Sequence, residues 1–234
     1  MSTDKITTEE VSILQLSDSF FPTGMYATSN GLEALFYAKK IKHPNELRNI
    51  IKVYLEHQIG PTDCAALGNS YEYVKKNDLK GVIKVDQITF SMKLIQEIRD
   101  TSARAGTQLL KCLGYFIADN ELLNEYQRSI KSKQASGVYP VALAIATSSL
   151  NISKRKAGLI MVYAFLVSMV GAALRLGMLQ HFHGQKIIHE LKPEIVEVVK
   201  NNIDRPITGM WQFAPGIDVF QIAHERMPSK MFIT

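Results

Sequence analysis

The residues of this chain best suited to chemistry are its six histidines and a small set of arginines and glutamates. His181 and His183 stand two apart in QHFHGQ, and His189 follows six residues later. On a helix, positions i and i+2 point away from each other, so this pair could chelate only from a loop or strand, and Gly184 permits a loop. No cysteine or carboxylate beside the pair completes a tetrahedral set, so His181 and His183 are weak metal candidates against the plainer reading of surface or core histidines. His224 and Glu225 are adjacent rather than four apart. They lack the helix-face zinc pattern, and a cap or a partner contact is expected of them. Arg99 and Arg104 lie on one helical pattern with Glu97, and Arg175 closes an uncharged stretch. A partly buried arginine is normally paired with a carboxylate, and Glu33 and Glu97 are the candidates. An arginine finger offered to a partner's nucleotide is the sharper alternative.

Other chemistries find no support. Gly171 and Gly177 are followed by no Lys-Ser/Thr pair, and Gly24 to Gly31 lacks both the spacing and the preceding strand of a dinucleotide loop. No serine sits in G-x-S-x-G, and neither Cys64 nor Cys112 has a catalytic flank. The expectation is a protein that is not an enzyme and holds no cofactor tightly.

The elements that must position these residues are helices. Leu47, Ile50, Ile51, Tyr54 and Gln58 follow helical spacing after Pro44-Asn45, and Gly60-Pro61 is expected to end that helix. Thr62 and Asp63 could then cap the next one, running to about Lys76. Steps of three and four continue from Ile88 through Met92, Ile95, Ile98, Ser102, Ala105, Leu109 and Cys112 to Phe116. That pattern predicts the longest helix of the chain. Further helices are predicted at 121–132, 139–149, 153–177, 184–191 and 193–201. Residues 204–216 read as a loop, and no sustained alternation of strand type occurs. The reading is all-α: a single-domain helical bundle over 1–234, with a flexible N-terminus at 1–10 and a partner-docking tail at 226–234.

Ala157 to Leu174 contains no charge and just reaches the length of a membrane span. Small residues dilute it and no second span accompanies it, so a buried central helix, wrapped by others, is expected. Of 234 residues, 46% are hydrophobic and the net charge is +5, which suits a packed globular chain. Lysines are scattered rather than run together, which argues against nucleic acid. Two isolated cysteines cannot make a disulfide framework, and free thiols in the cytoplasm are expected.

The stretch from Ser19 to Leu32 has no charged residue and mixes aromatic with turn-forming types. With its flanks, QLSDSFFPTGMYATSNGLE resembles the N-terminal signature of the urease accessory protein UreF family, on Leu14, Gln15, Pro22, Gly24, Tyr26, Ser29, Gly31, Leu32 and Glu33. Further matches follow in order: Glu97-Ile98-Arg99 with Gly106 and Leu109; Gly137 with Pro140-Val141; Ala172 to Gly177, then Gly184-Gln185; and Ala214-Pro215 and Asp218, then His224-Glu225 and Ser229 to Phe232. The chain departs from the family at His181-Phe182-His183 and at Lys230-Met231-Phe232, where an Arg-Leu-aromatic ending is usual; lysine cannot reproduce the bidentate fork of arginine.

The resemblance implies an all-α protein, usually a homodimer, that is not an enzyme by itself. It implies partners: the accessory protein UreD (also UreH), the GTPase UreG and the urease apoprotein. Nickel would be handled by the assembled complex, with GTP hydrolysis coupled to its insertion. Partner contacts are then expected at Pro22, Gly24, Tyr26, Ser29, Glu33, Arg99, Arg104, Arg175, Gln185, His224, Glu225, Lys230 and Phe232. Tyr26 would lie at the GTPase-docking face, with Glu33 orienting it by pairing with Arg99 or Arg104. Met231, Phe232 and Ile233 would dock into UreD/UreH. The alternative is a basic helical adaptor on nucleic acid or an anionic membrane, recognisable by steep salt dependence.

Overall fold

The computed structural model describes residues 7–117 and 120–234. Of the stretch expected to be flexible, residues 1–6 lie outside the described part, and Thr8 to Glu10 form the first turn of a helix. The helices are α1 (Thr8–Ser17), α2 (Leu32–Tyr37), α3 (Pro44–Tyr54), α4 (Ala65–Lys75), α5 (Leu79–Met92), α6 (Gln96–Leu113), α7 (Glu121–Lys131), α8 (Tyr139–Ser149), α9 (Lys154–Arg175), α10 (His181–Glu190), α11 (Lys192–Asn202) and α12 (Pro215–Glu225). No strand occurs among the described residues. Local chemistry explains the starts. Asp78 and Asn120 accept from the backbone N–H of Gly81 and Leu123. Pro44, Pro140, Pro193 and Pro215 occupy first turns, where a missing N–H costs nothing.

The uncharged segment is α9, the core helix. It packs against α1, α2, α4, α8, α10 and α11. Val162, Leu166 and Met169 are wholly buried, each worth roughly 1.5–3 kcal/mol of removed apolar surface. It is long and apolar enough to cross a membrane, yet 61% of its apolar window is buried by neighbouring helices. Leu159 and Tyr163 remain partly exposed, so the wrapping is incomplete on one side.

Two expectations about helix ends are corrected. The Ile88–Phe116 pattern is two helices, and the longest is α9. The break at Lys93–Ile95 has a cause in the side chains. Lys93 turns inward to a buried ion pair with Asp63 at 2.7 Å. Arg99 folds back and donates to the freed carbonyls of Lys93 and Leu94 at 2.7 and 2.9 Å. Apolar periodicity survives the break because both helices turn the same face to the core. Second, Gly60-Pro61 does not end its helix. The chain runs from α3 to α4 through a π-helical segment, Leu55–Cys64, with Pro61 inside. Pro61 has no N–H to donate inside this widened segment. From the 204–216 loop, the N–H of Phe213 donates to the His57 carbonyl at 3.1 Å, and Thr62 Oγ1 donates to the Trp211 carbonyl at 2.7 Å. The 204–216 loop is therefore a clamp that satisfies the widened turn.

One carboxylate ties the far end of the bundle. Asp86 is fully buried on α5 and accepts from Tyr126 Oη of α7 and from the backbone N–H groups of Ser136, Gly137 and Val138, which lead into α8. Gly106 of α6 lies against the same turn, where an added Cβ would sit 2.1 Å from the Gly137 oxygen.

Candidate functional site

The candidate site is the segment between α1 and α2 together with everything that fastens it. After α1 the chain turns on Asp18, which accepts from the Phe20 N–H. Gly24 adopts φ +79°, a single helical turn spans Met25–Ala27, and Asn30 and Gly31 take two successive left-handed conformations. A Cβ on Gly31 would stand 2.9 Å from Gln221 Cγ of α12, so glycine permits both the turn and the close approach. The Asn30 carbonyl accepts from Tyr54 Oη and from Gln221 Nε2. The outer side of this segment is apolar and open: Phe20 is 92% exposed and Tyr26 is 61% exposed.

The tail lies along the segment. The Ile233 N–H donates to the Ala27 carbonyl, and the Ser29 N–H donates to the main-chain oxygen of Thr234, both at 2.8 Å. Ser29 Oγ donates to that same oxygen. Phe232 is buried on its own domain, while Met231 and Ile233 stay largely exposed.

Beneath the tail is a buried charge cluster. Glu33 has no solvent exposure; its two oxygens accept from the N–H groups of Met231 (2.8 Å) and Phe232 (3.1 Å). His224, equally buried, faces Glu33 with Nε2 at 3.0 Å and Glu97 with Nδ1 at 2.7 Å. Each ring nitrogen of His224 thus meets a carboxylate oxygen, one from α2 and one from α6. Lys230 Nζ donates to Glu97 and to the Glu225 carbonyl. The Glu225 carboxylate accepts from the Glu97 N–H at 2.9 Å and so caps the first turn of α6.

Arg175, the last residue of α9, lies with its guanidinium 3.7 Å from the Tyr26 ring centre and 4.5 Å from that of Phe232. Its Nε donates to the Gly171 carbonyl, and its Nη2 is buried with no acceptor. Burial pushes its pKa down, although a guanidinium remains charged. Stacking on two π faces is what offsets the lost hydration.

The structure thus gathers Tyr26, Ser29, Glu33, Arg175, His224, Glu225, Lys230 and Phe232. The expected pairing of Glu33 with Arg99 or Arg104 is corrected. Glu33 pairs with His224 and the tail, Arg99 is spent on the Lys93 and Leu94 carbonyls, and Arg104 reaches Thr101 Oγ1. Arg104 nonetheless borders a groove with Pro22, Gly24 and Ile233. Gln185, His181 and His183 are exposed on α10, which packs on α3, α9 and α11, and they stand apart from the cluster. No group of three or more metal-binding side chains occurs among the described residues. The sequence offers no role for Asn30 or Gln221 and places Tyr54 only in the apolar stripe of α3; the run of turn-forming residues around Asn30 is the one hint at them.

The profile of the UreF family matches residues 41–192. The chain belongs to the UreF family. It is 31% identical over 228 residues to the urease accessory protein UreF of Trichodesmium erythraeum (strain IMS101), covering 96% of each chain. It is 30% identical to the UreF of Bacillus sp. (strain TB-90), over 96% of this chain and 98% of the relative. A third UreF, from Corynebacterium glutamicum (strain R), is 29% identical over 95% of this chain. The profile match stops short of both the signature segment and the tail, whereas these alignments cover nearly the whole chain. The family is one of accessory proteins of urease.

Proposed function

We propose that this chain is a non-catalytic scaffold of urease maturation. With UreD/UreH it recruits the GTPase UreG in the cytoplasm and couples GTP hydrolysis to nickel insertion into the urease apoprotein. Family membership supports the accessory role. The observation that carries the docking role is the uncharged outer side of the Ser19–Asn30 segment, open at Phe20, Pro22, Gly24 and Tyr26, on a frame whose buried ionisable groups are engaged with one another. A rigid apolar surface with one tyrosine associates at low desolvation cost. Glu33, Glu97, His224 and Lys230 build that frame rather than a reaction centre.

The test is capture of UreG, with UreD/UreH present, by a Tyr26→Ala variant of unchanged thermal midpoint. Affinity should fall by about tenfold or more, in line with loss of an interface tyrosine. Urease activation should fall with it. Unchanged affinity overturns the docking role. Deleting Ser229 to Thr234 should abolish the UreD/UreH complex while helix content stays intact; retained binding removes the tail from that interface.

A further inference from the structure

The outward ridge of α6 continues beyond the groove at Arg104 to a second groove, between the end of α6 and α7. Its volume is about 450 Å³, and Thr107, Leu110, Lys111, Tyr115, Ile130 and Lys131 line it. Leu110 and Ile130 give it an apolar floor. Gln127, the amide on its wall, is already satisfied, donating to the Leu110 carbonyl at 3.1 Å. Tyr115 is 83% exposed at its mouth, followed by the half-exposed Phe116. Lys111 and Lys131 stand on opposite helices, and neither has a carboxylate partner among the described residues. The nearby acid on α7, Glu125, faces Arg128 instead.

An apolar floor between two cations that meet no carboxylate among the described residues, with an aromatic at the edge, matches one ligand chemistry: carboxylates flanking an apolar side chain. We propose that this groove docks an acidic peptide segment of a partner protein. One apolar side chain seats over Leu110 and Ile130, and flanking carboxylates meet Lys111 and Lys131. Two lysines over an apolar floor suit a peptide better than a nucleic acid, whose phosphates call for a line of cations. Position supports the assignment. Gln108 and Arg104, one and two turns before Lys111 on the same ridge, border the groove that holds Pro22, Gly24 and Ile233, so the two grooves share one side of α6.

The test uses the full chain and three labelled peptides, read by fluorescence anisotropy: a Glu-rich peptide with a central Leu, the same peptide with Ser for Leu, and a Lys-rich version with the Leu kept. The first should bind, and raised salt should weaken it. K111E/K131E, which changes only exposed side chains and should melt normally, should weaken it about tenfold and admit the Lys-rich peptide. Y115A should weaken it less, and Y26A should leave it unchanged. Equal binding of the Ser peptide, unchanged affinity in K111E/K131E, or loss of the peptide in Y26A each overturns the proposal. So does a single-stranded oligonucleotide bound at this face in place of the acidic peptide.

Discussion

Glu33 and Asp86 are both carboxylates without solvent exposure, and both collect backbone N–H groups from a distant stretch of chain. They differ in what they hold. Asp86 joins α5, α7 and the turn into α8, whose neighbours are core helices. Glu33 joins α2 to α12 and the tail, at the edge of the bundle. A buried carboxylate inside the packing network carries the stability of the whole molecule. One at the margin carries the order of a surface. The comparison separates the folded core from the docking face, and variants can break it.

The largest effect should come from Asp86→Ala. It leaves Tyr126 Oη and three backbone N–H groups without their acceptor, and unfolding free energy should fall by ~3 kcal/mol or more in urea titrations. A loss below ~1 kcal/mol would show that the turn into α8 is held by packing alone. Glu33→Ala should cost less, ~2 kcal/mol, because two of its three partners are amides of the terminal tail, which can detach and rehydrate without opening the core. Its signature is local: faster hydrogen exchange at Met231 and Phe232, and tryptic cleavage at Arg226 and Lys230, with the core amides still protected. If Glu33→Ala destabilises the core as much as Asp86→Ala, the two regions are one cooperative unit and the contrast fails.

Lys230→Ala should be milder again, under ~1 kcal/mol, since the lysine is partly solvated. Reversing it to Glu should loosen the tail further by setting a third carboxylate against Glu97. The smallest effect is a readout that sharpens the rest. Burial, helped by the charge of Asp63, pushes the Cys64 thiol up to about 12, so it stays protonated and unreactive at pH 8. Alkylation of the native chain should stop at one thiol, the half-buried Cys112. It should stay at one in Glu33→Ala and approach two in Asp86→Ala. The same shift has a sign in pH. An unfolded thiol ionises near ~8.5, so stability is full below that and declines as pH rises above it.

Much of the fold was legible in the sequence. The predicted 139–149 helix matches α8, and the predicted 153–177 helix holds α9 with Ser153 as its cap, since both periodicity and capping act within a few residues. Breaks were legible only where their cause was local. Pro61 reads as a stop, whereas the helix runs through it as a widened turn tied to Trp211 and Phe213, far along the chain. The break at Lys93 is hidden for a similar reason: Asp63, thirty residues earlier, draws the lysine inward.

For the candidate site, residue types and family signature placed Tyr26, Glu33, Arg175, His224 and Phe232 on one roster. They did not give the wiring, and the expected arginine partner of Glu33 turned out to be a histidine and two tail amides.

By itself, then, the sequence determined an all-helical chain, its family, the uncharged segment and the buried helix, because each rests on short-range pattern. Only the tertiary structure decided that Glu33 meets His224 across 191 positions and that Ser29 meets Thr234 across 205. Such pairings are fixed by how the helices pack, and packing selects among charged partners that composition and spacing leave equivalent.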